Sequence, residues 1–185
     1  MEFDLTGEHQ KLAYKLLASL VTPRPIALVS TVDAEGRFNA APFSFFNVLG
    51  SKPPIVGFCP GDREPGIPKD TAQNIRLTGE FVVNLTDEGI AEAMNACAAE
   101  LPAGESEFDF AKLTPKESVI VKPPRIAEAP VSLECKEWGT LQIGQNRLVI
   151  GLVQRVHVRD GVLDPETLRL VPEAYRVVGR MHGAD

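Results

Sequence analysis

The sequence predicts a mainly β protein, in which flanking helices surround a closed or split antiparallel β-barrel. Most of the predicted strands are joined by short hairpin turns. The predicted helices do not alternate regularly with the strands, which argues against a parallel doubly wound sheet. Apolar and polar side chains alternate through the C-terminal third, beginning at residues 131–136, as expected for half-buried strands.

Length and composition are those of an ordinary globular chain. The 185 residues are 44% hydrophobic and 24% charged, so we expect one domain over residues 1–185 with a full hydrophobic core. The net charge is -6 and the isoelectric point is near 5.2. An acidic surface argues against nonspecific binding to nucleic acid or to an anionic membrane.

Three features of the sequence predict where the protein resides. The N-terminus has no basic segment followed by an apolar core, so we expect no signal peptide. No apolar run reaches the length of a membrane span. Cys59, Cys97 and Cys135 are odd in number and widely spaced, which favours free thiols over a disulfide framework. We therefore expect a cytoplasmic protein.

The first predicted element is a helix over residues 8–20. Leu12, Leu16 and Leu20 recur every four residues, which is the spacing of one helical face. The two prolines of the segment TPRP at 22–25 end helical geometry.

A hairpin is predicted next. Residues 26–32 begin with continuous apolar side chains and form a buried strand, Gly36 ends the turn, and the chain returns over residues 37–43. Pro42 lies inside the returning strand, and a proline there implies an edge strand or a bulge. Such a position exposes backbone N–H and C=O groups that a ligand can bind.

The middle of the chain combines short strands with a helix. Strands are predicted over residues 55–59 and 81–85. Between them, a helix capped by Asp70 or Thr71 is closed by Gly79.

A second helix is predicted to follow, with Thr86 as its cap and Ile90 and Cys97 on its apolar face. Residues 101–114 are expected to be a long irregular connection. Residues 119–121 are expected to be short and extended.

The C-terminal third is predicted to be a long hairpin. The segment GQN at 144–146 is a turn signal, and residues 148–158 form a long strand with a bend at Gly151. Asp160 and Gly161 turn the chain again.

Several familiar site chemistries have no signature in this chain. It contains no G-x-G-x-x-G after a strand and no G-x-S-x-G elbow. His9, His157 and His182 are far apart and no C-x-x-C is present, so no metal site is predicted.

A basic loop at residues 61–71 is a candidate anion site. It is not a nucleotide phosphate loop, since Asp70 separates Lys69 from Thr71. Arg63 nevertheless offers a planar fork of donors, Lys69 a point charge, Thr71 a hydroxyl, and the helix start free N–H groups. The alternative is a solvated surface loop in which Asp70 is an ordinary cap.

Residues 39–47 (NAAPFSFFN) form a candidate platform for a flat ring. Asn39, Ser44 and Asn47 place amide and hydroxyl groups among aromatic side chains, and the neighbouring alanines allow a ring to approach the backbone. The alternative is that the three phenylalanines are core residues. Cys59, which follows the next strand, is expected to be a buried small residue because no base is identifiable for it.

Five segments, taken together in this order, resemble the flavin reductase-like family. They are TPRPIALVST at 22–31, NAAPFSFFN at 39–47, KDTAQNI at 69–75, GEFVVNL at 79–85 and PPRI at 123–126. The resemblance covers about residues 20–180, and the combination is specific although each piece alone is weak. It implies an FMN-binding split antiparallel β-barrel with a Greek-key-like topology.

The resemblance also implies a ligand and an assembly. It implies a homodimer with one flavin per subunit near the interface, FMN as the cofactor (FAD being the alternative), and NAD(P)H as electron donor. The ring is expected along residues 39–46, and the phosphate at the basic loop. The implied cofactor-binding residues are Thr31, Asn39, Ala41, Pro42, Phe43, Ser44, Phe45, Arg63, Lys69, Asp70, Thr71 and Asn74.

The C-terminal segment GRMHG at 179–183 departs from the family pattern. In many relatives the segment is glycine-rich and an aromatic residue follows, whereas here His182 stands where glycine is expected. His182 is the candidate catalytic residue on the nicotinamide side. The alternative is a solvent-exposed histidine near a terminus.

These observations lead to one main hypothesis and two alternatives. The main hypothesis is an FMN-dependent NAD(P)H:flavin oxidoreductase that passes electrons on, with a partner monooxygenase as a candidate acceptor. The first alternative is an FMN-binding electron carrier without its own nicotinamide site. The second is a non-catalytic barrel module.

Overall fold

The computed structural model describes residues 1–102 and 104–182, and strands dominate this part of the chain. The strands are β1 (Arg24–Pro25), β2 (Ala27–Val32), β3 (Phe38–Phe43), β4 (Phe46–Ser51), β5 (Pro54–Phe58), β6 (Asp62–Glu64), β7 (Ile67–Pro68), β8 (Glu80–Leu85), β9 (Pro115–Lys116), β10 (Arg125–Ile126), β11 (Val131–Ile143), β12 (Asn146–Val158) and β13 (Gly179–Arg180). The α-helices are α1 (Ala13–Leu20), α2 (Asp70–Thr78), α3 (Ala91–Ala96) and α4 (Glu107–Phe110), with 3-10 turns at Gln10–Leu12, Glu88–Ile90 and Pro172–Ala174. The predicted mainly β fold class is confirmed.

The main sheet has seven antiparallel strands in the order β3-β2-β8-β11-β12-β5-β4. Its two edge strands, β3 and β4, are consecutive in the chain and are separated only by Ser44 and Phe45. Because three Cα–Cα steps reach about 11 Å at most, the two edges of the sheet must lie close together. The sheet therefore curls into a barrel. No ladder joins β3 to β4 in the described residues, so the seam stays open and the barrel is split, as predicted.

Alternation along the strands sends side chains to two hydrophobic clusters. The barrel interior contains Phe58, whose ring centroid lies 5.1 Å from that of Phe43 and 5.5 Å from that of Phe81. Leu28 points to the other face of the sheet, where it packs with Phe108 of α4 and other residues of the flanking segments. The second cluster fixes the helical layer on the barrel.

The edge position predicted from Pro42 is confirmed, since β3 borders the open seam. The beginning of this edge is covered by the segment that leads into α4. Ser106 Oγ donates to the C=O of Phe38 at 2.8 Å, and the N–H of Ala40 donates to Glu107 Oε2 at 3.1 Å. Further along β3, Pro42 has no N–H. The edge strand therefore lacks a backbone donor at this position.

Several predicted elements are confirmed with small changes. The hairpin of β2 and β3 and the long hairpin of β11 and β12 are both present. Gly79 closes α2 with a φ of +69°, a left-handed conformation that glycine adopts without strain.

The N-terminal helix differs from its prediction. It begins as a 3-10 turn and becomes α-helical only at Ala13, and its apolar face is largely uncovered, with Leu17 51% and Leu20 75% exposed. A four-residue repeat predicts an apolar face but does not say what covers it.

Both predicted helix caps were wrong. Lys69, and not Asp70 or Thr71, is the N-cap of α2, with extended backbone and no side-chain cap bond. Asp87, and not Thr86, caps the turn before α3, because its carboxylate accepts the N–H of Gly89 at 3.1 Å.

Other differences arise from long-range contacts. Residues 119–121 form no strand, because the N–H groups of Val119 and Ile120 donate to the carboxylate of Glu134 instead of a ladder. Gly151 lies within β12, opposite a register shift in β11 between Glu137 and Gly139, and a Cβ there would overlap the Phe81 ring, so close packing requires glycine. Two elements were not predicted from the sequence, β4 and the helix α4 inside the connection at 101–114. Residue 103 of this connection lies outside the described residues.

No helix in the described residues is long and apolar enough to cross a membrane.

Candidate functional site

One end of the barrel contains a cluster of hydroxyl and amide side chains, here called the amide–threonine cluster, made of Thr31, Asn39, Thr71 and Asn74. Thr31 Oγ1 accepts from Asn39 Nδ2 at 3.3 Å and from Asn74 Nδ2 at 3.0 Å, and Thr71 Oγ1 accepts from Asn39 Nδ2 at 3.0 Å. All four were predicted site residues. The structure joins them although they come from β2, β3 and α2.

The start of α2 lies beside this cluster and has the features of an anion site. Lys69 makes no side-chain cap bond, and the first N–H to close onto the helix is that of Gln73, which donates to the C=O of Lys69 at 3.0 Å. The N–H groups of the first turn are therefore available, and the positive end of the helix dipole favours a negative charge there. An uncapped, dipole-positive helix start next to hydroxyl groups fits a phosphate.

Basic and acidic side chains share this end of the site. Lys69 Nζ lies 5.9 Å from the centroid of the Phe43 ring, and Arg63 pairs with Asp70 at 2.9 Å. Burial raises the pKa of Glu107, which the nearby charge of Asp70 raises further and Arg63 opposes. The attraction for an anion is therefore local, which agrees with the acidic net charge of the chain.

The aromatic segment divides into core and surface. Phe43 and Phe46 are buried in the barrel core, so for these two residues the alternative that they are core residues is correct. Phe45 is 42% exposed at the β3–β4 corner, and Ser44 beside it is half-buried. A ligand along β3 meets the backbone of this strand, the Ser44 hydroxyl and the Phe45 ring, rather than three aromatic faces.

A buried arginine that the sequence analysis did not select holds this corner. Arg24 Nε donates to Ser44 Oγ at 3.3 Å, and its guanidinium carbon lies 5.6 Å from the centroid of the Phe45 ring. The signal in the sequence was an arginine between two prolines at the start of a buried strand, where a charged residue is unusual.

The backbone of His182 contacts Arg24, the arginine at the β3–β4 corner. Its C=O accepts from Arg180 Nε at 2.7 Å and from Arg24 at 3.4 Å, whereas the residue itself is exposed. Its proposed role toward a nicotinamide stays a prediction. Gly183, the last residue of the segment GRMHG, lies outside the described residues.

The cysteines are not candidates for nucleophiles. Cys59 is half-buried, and not buried as expected, whereas Cys97 and Cys135 are buried. Burial raises the pKa of the Cys59 thiol, and it raises the pKa of Cys97 and of Cys135 to about 12. All three are free, as the sequence analysis expected.

The two ends of the site are joined by β3. From Asn39 in the amide–threonine cluster to Ser44 at the corner there are five residue steps, which span about 17 Å along an extended strand. An extended molecule with an anionic group at one end and a flat, partly polar ring at the other fits this arrangement.

Comparison with known proteins agrees with this geometry. A model of the family described as "Flavin reductase like domain" matches residues 19–179. An uncharacterized protein of Deinococcus radiodurans is 44% identical over 98% of this chain and 82% of its own. The crystal structure of nitrilotriacetate monooxygenase component B from Bacillus cereus superposes with a TM-score of 0.93 at 34% identity, covering 100% of this chain and 93% of that one. The 2-nitrobenzoate 2-nitroreductase of Pseudomonas fluorescens superposes with a TM-score of 0.88 at 33% identity, covering 100% and 90%.

The chain therefore belongs to the flavin reductase-like family. This confirms the resemblance inferred from the five sequence segments. It also supports a flavin-related redox function for the protein.

Proposed function

We propose that this protein is an FMN-dependent oxidoreductase that takes reducing equivalents from NAD(P)H and passes them to an acceptor, a partner monooxygenase being one candidate. The observation that carries this proposal is the start of α2 next to the amide–threonine cluster. Its N-cap residue, Lys69, makes no side-chain cap bond, so the first N–H groups of the helix are available. A terminal phosphate matches this end, which is why FMN is preferred to FAD. The family membership supports the flavin.

Each part of the chain has a defined task in this proposal. Lys69, Thr71 and the first N–H groups of α2 hold the phosphate, and Arg63 joins them when it leaves Asp70. The backbone of Ala41 to Phe43 at the end of β3, together with Ser44 at the β3–β4 corner, orients the ring. A bound FMN supplies the two-electron redox chemistry, so no side chain of the protein need act as acid or base.

We also propose a homodimer formed by a single domain over residues 1–185. Large apolar side chains lie exposed on several elements of the described chain, among them Leu20 at 75%, Val48 at 67% and Trp138 at 66%. The homodimer is what the family resemblance implies, and an interface would bury exposed apolar side chains of this kind. Sedimentation at micromolar concentration tests this, and a monomer would contradict it.

The alternative of an electron carrier without a nicotinamide site is favoured by one observation. His182, the candidate residue on the nicotinamide side, is exposed, and its described hydrogen bonds are made by its backbone C=O. Fast reduction by NADH or NADPH would exclude the carrier, whereas slow reduction by both, with rapid reduction by a partner protein, would favour it.

The experiment that tests the proposal is a visible spectrum of the purified protein after FMN is added and the excess removed, repeated anaerobically with NADH and then NADPH. Retained flavin bands that bleach within seconds support the oxidoreductase. Retained bands that persist with both donors favour the carrier. If no band is retained, a fluorescence titration separates a weakly held flavin from a barrel module that binds none, and the latter result refutes the proposal.

A further inference from the structure

Arg24 is the most highly connected charged side chain at the corner of the site. It is 7% exposed, and its guanidinium donates to the C=O of Ala18 and, at 2.8 Å, to that of Val21. Ala18 lies in the last turn of α1 and Val21 is its C-cap residue, and the helix dipole favours a positive charge at this end. The remaining donors reach Ser44 at 3.3 Å and the C=O of His182 at 3.4 Å.

The surroundings of this guanidinium are unusual for a buried charge. In the described residues no carboxylate forms an ion pair with Arg24, although pairs are present for Arg63, Arg147 and Arg159. Hydrogen bonds to backbone carbonyls and a cation–π contact with the Phe45 ring stabilise the charge instead. A buried guanidinium costs free energy unless its donors are hydrogen-bonded. Moving any of its partners away would therefore be unfavourable, so the guanidinium restrains the groups that it contacts.

Arg24 fixes the hydrogen-bonding direction of Ser44. An arginine has donors and no acceptor, so the Ser44 oxygen must accept from Nε. The hydroxyl hydrogen of Ser44 is then free to donate to a third group. A serine held in this way has its hydroxyl hydrogen available to donate at the ring end of the site.

Arg24 also joins three segments that are distant in sequence. These are the end of α1, the β3–β4 corner, and the C-terminal strand β13, which pairs with β1 through Arg24 opposite Arg180 and Pro25 opposite Gly179. A Cβ at Gly179 would lie 3.1 Å from the C=O oxygen of Arg24, so this close approach favours glycine.

We propose that Arg24 is a positioning residue that presents the Ser44 hydroxyl as a donor to the flavin ring and holds the C-terminal strand beside it. This inference rests on the proposed function. It assigns Arg24 no direct contact with the ring, since it acts through Ser44 and Phe45.

A double-mutant cycle of Arg24→Lys and Ser44→Ala tests the proposal, with FMN affinity and the spectrum of the bound flavin as readouts. A lysine keeps the charge but cannot reproduce the fork. In the wild-type background, Ser44→Ala should weaken FMN binding about fivefold, as expected for one hydrogen bond, and should shift the visible band. In the Arg24→Lys background the same change should weaken binding less than about twofold and leave the band in place. Equal effects in both backgrounds would overturn the proposal.

The matched control is Arg125→Lys. Arg125 also binds a backbone carbonyl, that of Glu117, at 3.2 and 2.9 Å, but it lies away from the β3–β4 corner. In this background Ser44→Ala should retain its full fivefold effect. A loss of that effect would show a general response to a missing guanidinium, and it too would overturn the proposal.

A second measurement uses the wild-type side chain, in case Arg24→Lys does not fold. Saturation with FMN should shift the Nε–H resonance of Arg24 in the wild-type protein, and Ser44→Ala should abolish that shift. A resonance that FMN leaves unchanged would overturn the proposal. A wild-type protein that does not bind FMN at all would refute the proposed function itself, so the two failures are distinguishable.

Discussion

Two polar clusters in this barrel have similar composition and opposite properties. The amide–threonine cluster lies at the end of the barrel beside α2, and a second cluster is centred on Asn84 on the outer face of the sheet. Asn84 is fully buried, and its Nδ2 donates to the C=O of Leu28 and to Ser30 Oγ, both at 3.1 Å. Its Oδ1 accepts from the N–H of Ile126 at 3.0 Å and from Ser132 Oγ at 2.9 Å.

The difference lies in how much hydrogen-bonding capacity each cluster leaves unused. Asn84 uses two donors and two acceptors, which is everything that a primary amide offers. In the amide–threonine cluster the Nδ2 group of Asn39 donates twice and that of Asn74 once, and neither amide oxygen accepts a hydrogen bond from the part of the chain that the structure describes. Asn39 is also partly exposed.

This comparison separates scaffold from site. A saturated, buried cluster holds the segment around Ile126 against the sheet, and any change in it is a change in stability. A cluster with spare capacity next to an uncapped helix start can bind a ligand with little rearrangement. Substitutions in the scaffold and in the site should therefore affect different quantities. Four predictions test this separation in order of decreasing effect, two for the buried scaffold side chains Asn84 and Glu134 and two for Lys69 and Thr71 of the candidate phosphate site.

The largest effect is expected for Asn84→Ala. The change leaves several buried partners unpaired, and we expect the free energy of unfolding to fall by about 3 kcal/mol. Urea denaturation measures this, and the FMN affinity of the folded protein should stay within about twofold. Asn95→Ala, at an exposed position of α3, is the control and should cost less than about 0.5 kcal/mol. A cost for Asn84→Ala as small as that of the control would remove the distinction between the clusters.

Glu134→Gln should show a pH-dependent loss of stability. Burial alone raises the pKa of Glu134, but the N–H groups of Val119 and Ile120 and the His157 ring outweigh it and hold the pKa below its ordinary value. A depressed pKa contributes stability above the ordinary value, and that contribution is lost as pH falls. We expect a cost of about 2 kcal/mol at pH 7 that shrinks below about pH 4.

Denaturation curves at several pH values test this expectation. The control variant is Glu117→Gln. Glu117 is exposed and lies on the loop that contains Val119 and Ile120, and its substitution should lower the free energy of unfolding at pH 7 by less than about 0.5 kcal/mol. A cost for Glu134→Gln that does not change between pH 7 and pH 3 would contradict the assignment of the carboxylate as the stabilising form.

Lys69→Ala should act on binding and not on stability. Loss of one charge-assisted contact to a phosphate should weaken FMN binding about tenfold, and the effect should decrease at high salt. Lys69 is exposed, so the urea midpoint should not move. Lys122→Ala, an exposed lysine of another loop, should leave the affinity unchanged. Unchanged affinity in Lys69→Ala as well would refute the phosphate assignment.

The smallest effect is expected for Thr71→Val, which removes a hydroxyl while keeping the shape of the side chain. FMN affinity should fall about threefold, because Asn39 loses an acceptor and the phosphate a donor. Thr78→Val is matched to it in the same helix, since the Thr78 hydroxyl binds the C=O of Asn74 at 2.8 Å in the last turn. Only Thr71→Val should change affinity in a flavin titration; equal losses in both would point to a general effect on α2.

Much of the scaffold was determined by local sequence. The period-two pattern of the C-terminal strands, the turns at Gly36 and 144–146, the helix closure at Gly79 and the edge position of Pro42 were all predictable. Each depends on interactions between near neighbours in the chain, such as backbone dihedral preferences and side-chain periodicity. The family was also identifiable, because the order of its five segments is a property of the sequence alone.

The tertiary structure alone decided how the site is held together. Nothing in the sequence indicated that β3 and β4 are the two edges of one barrel, or that Arg24 reaches Ser44 and, 158 residues away in the chain, His182. Residues 119–121 form no strand because the Glu134 carboxylate accepts the N–H groups of Val119 and Ile120. Local patterns encode periodicity and turns, whereas partners far apart in sequence are chosen only when the closed sheet places their donors and acceptors within hydrogen-bonding distance.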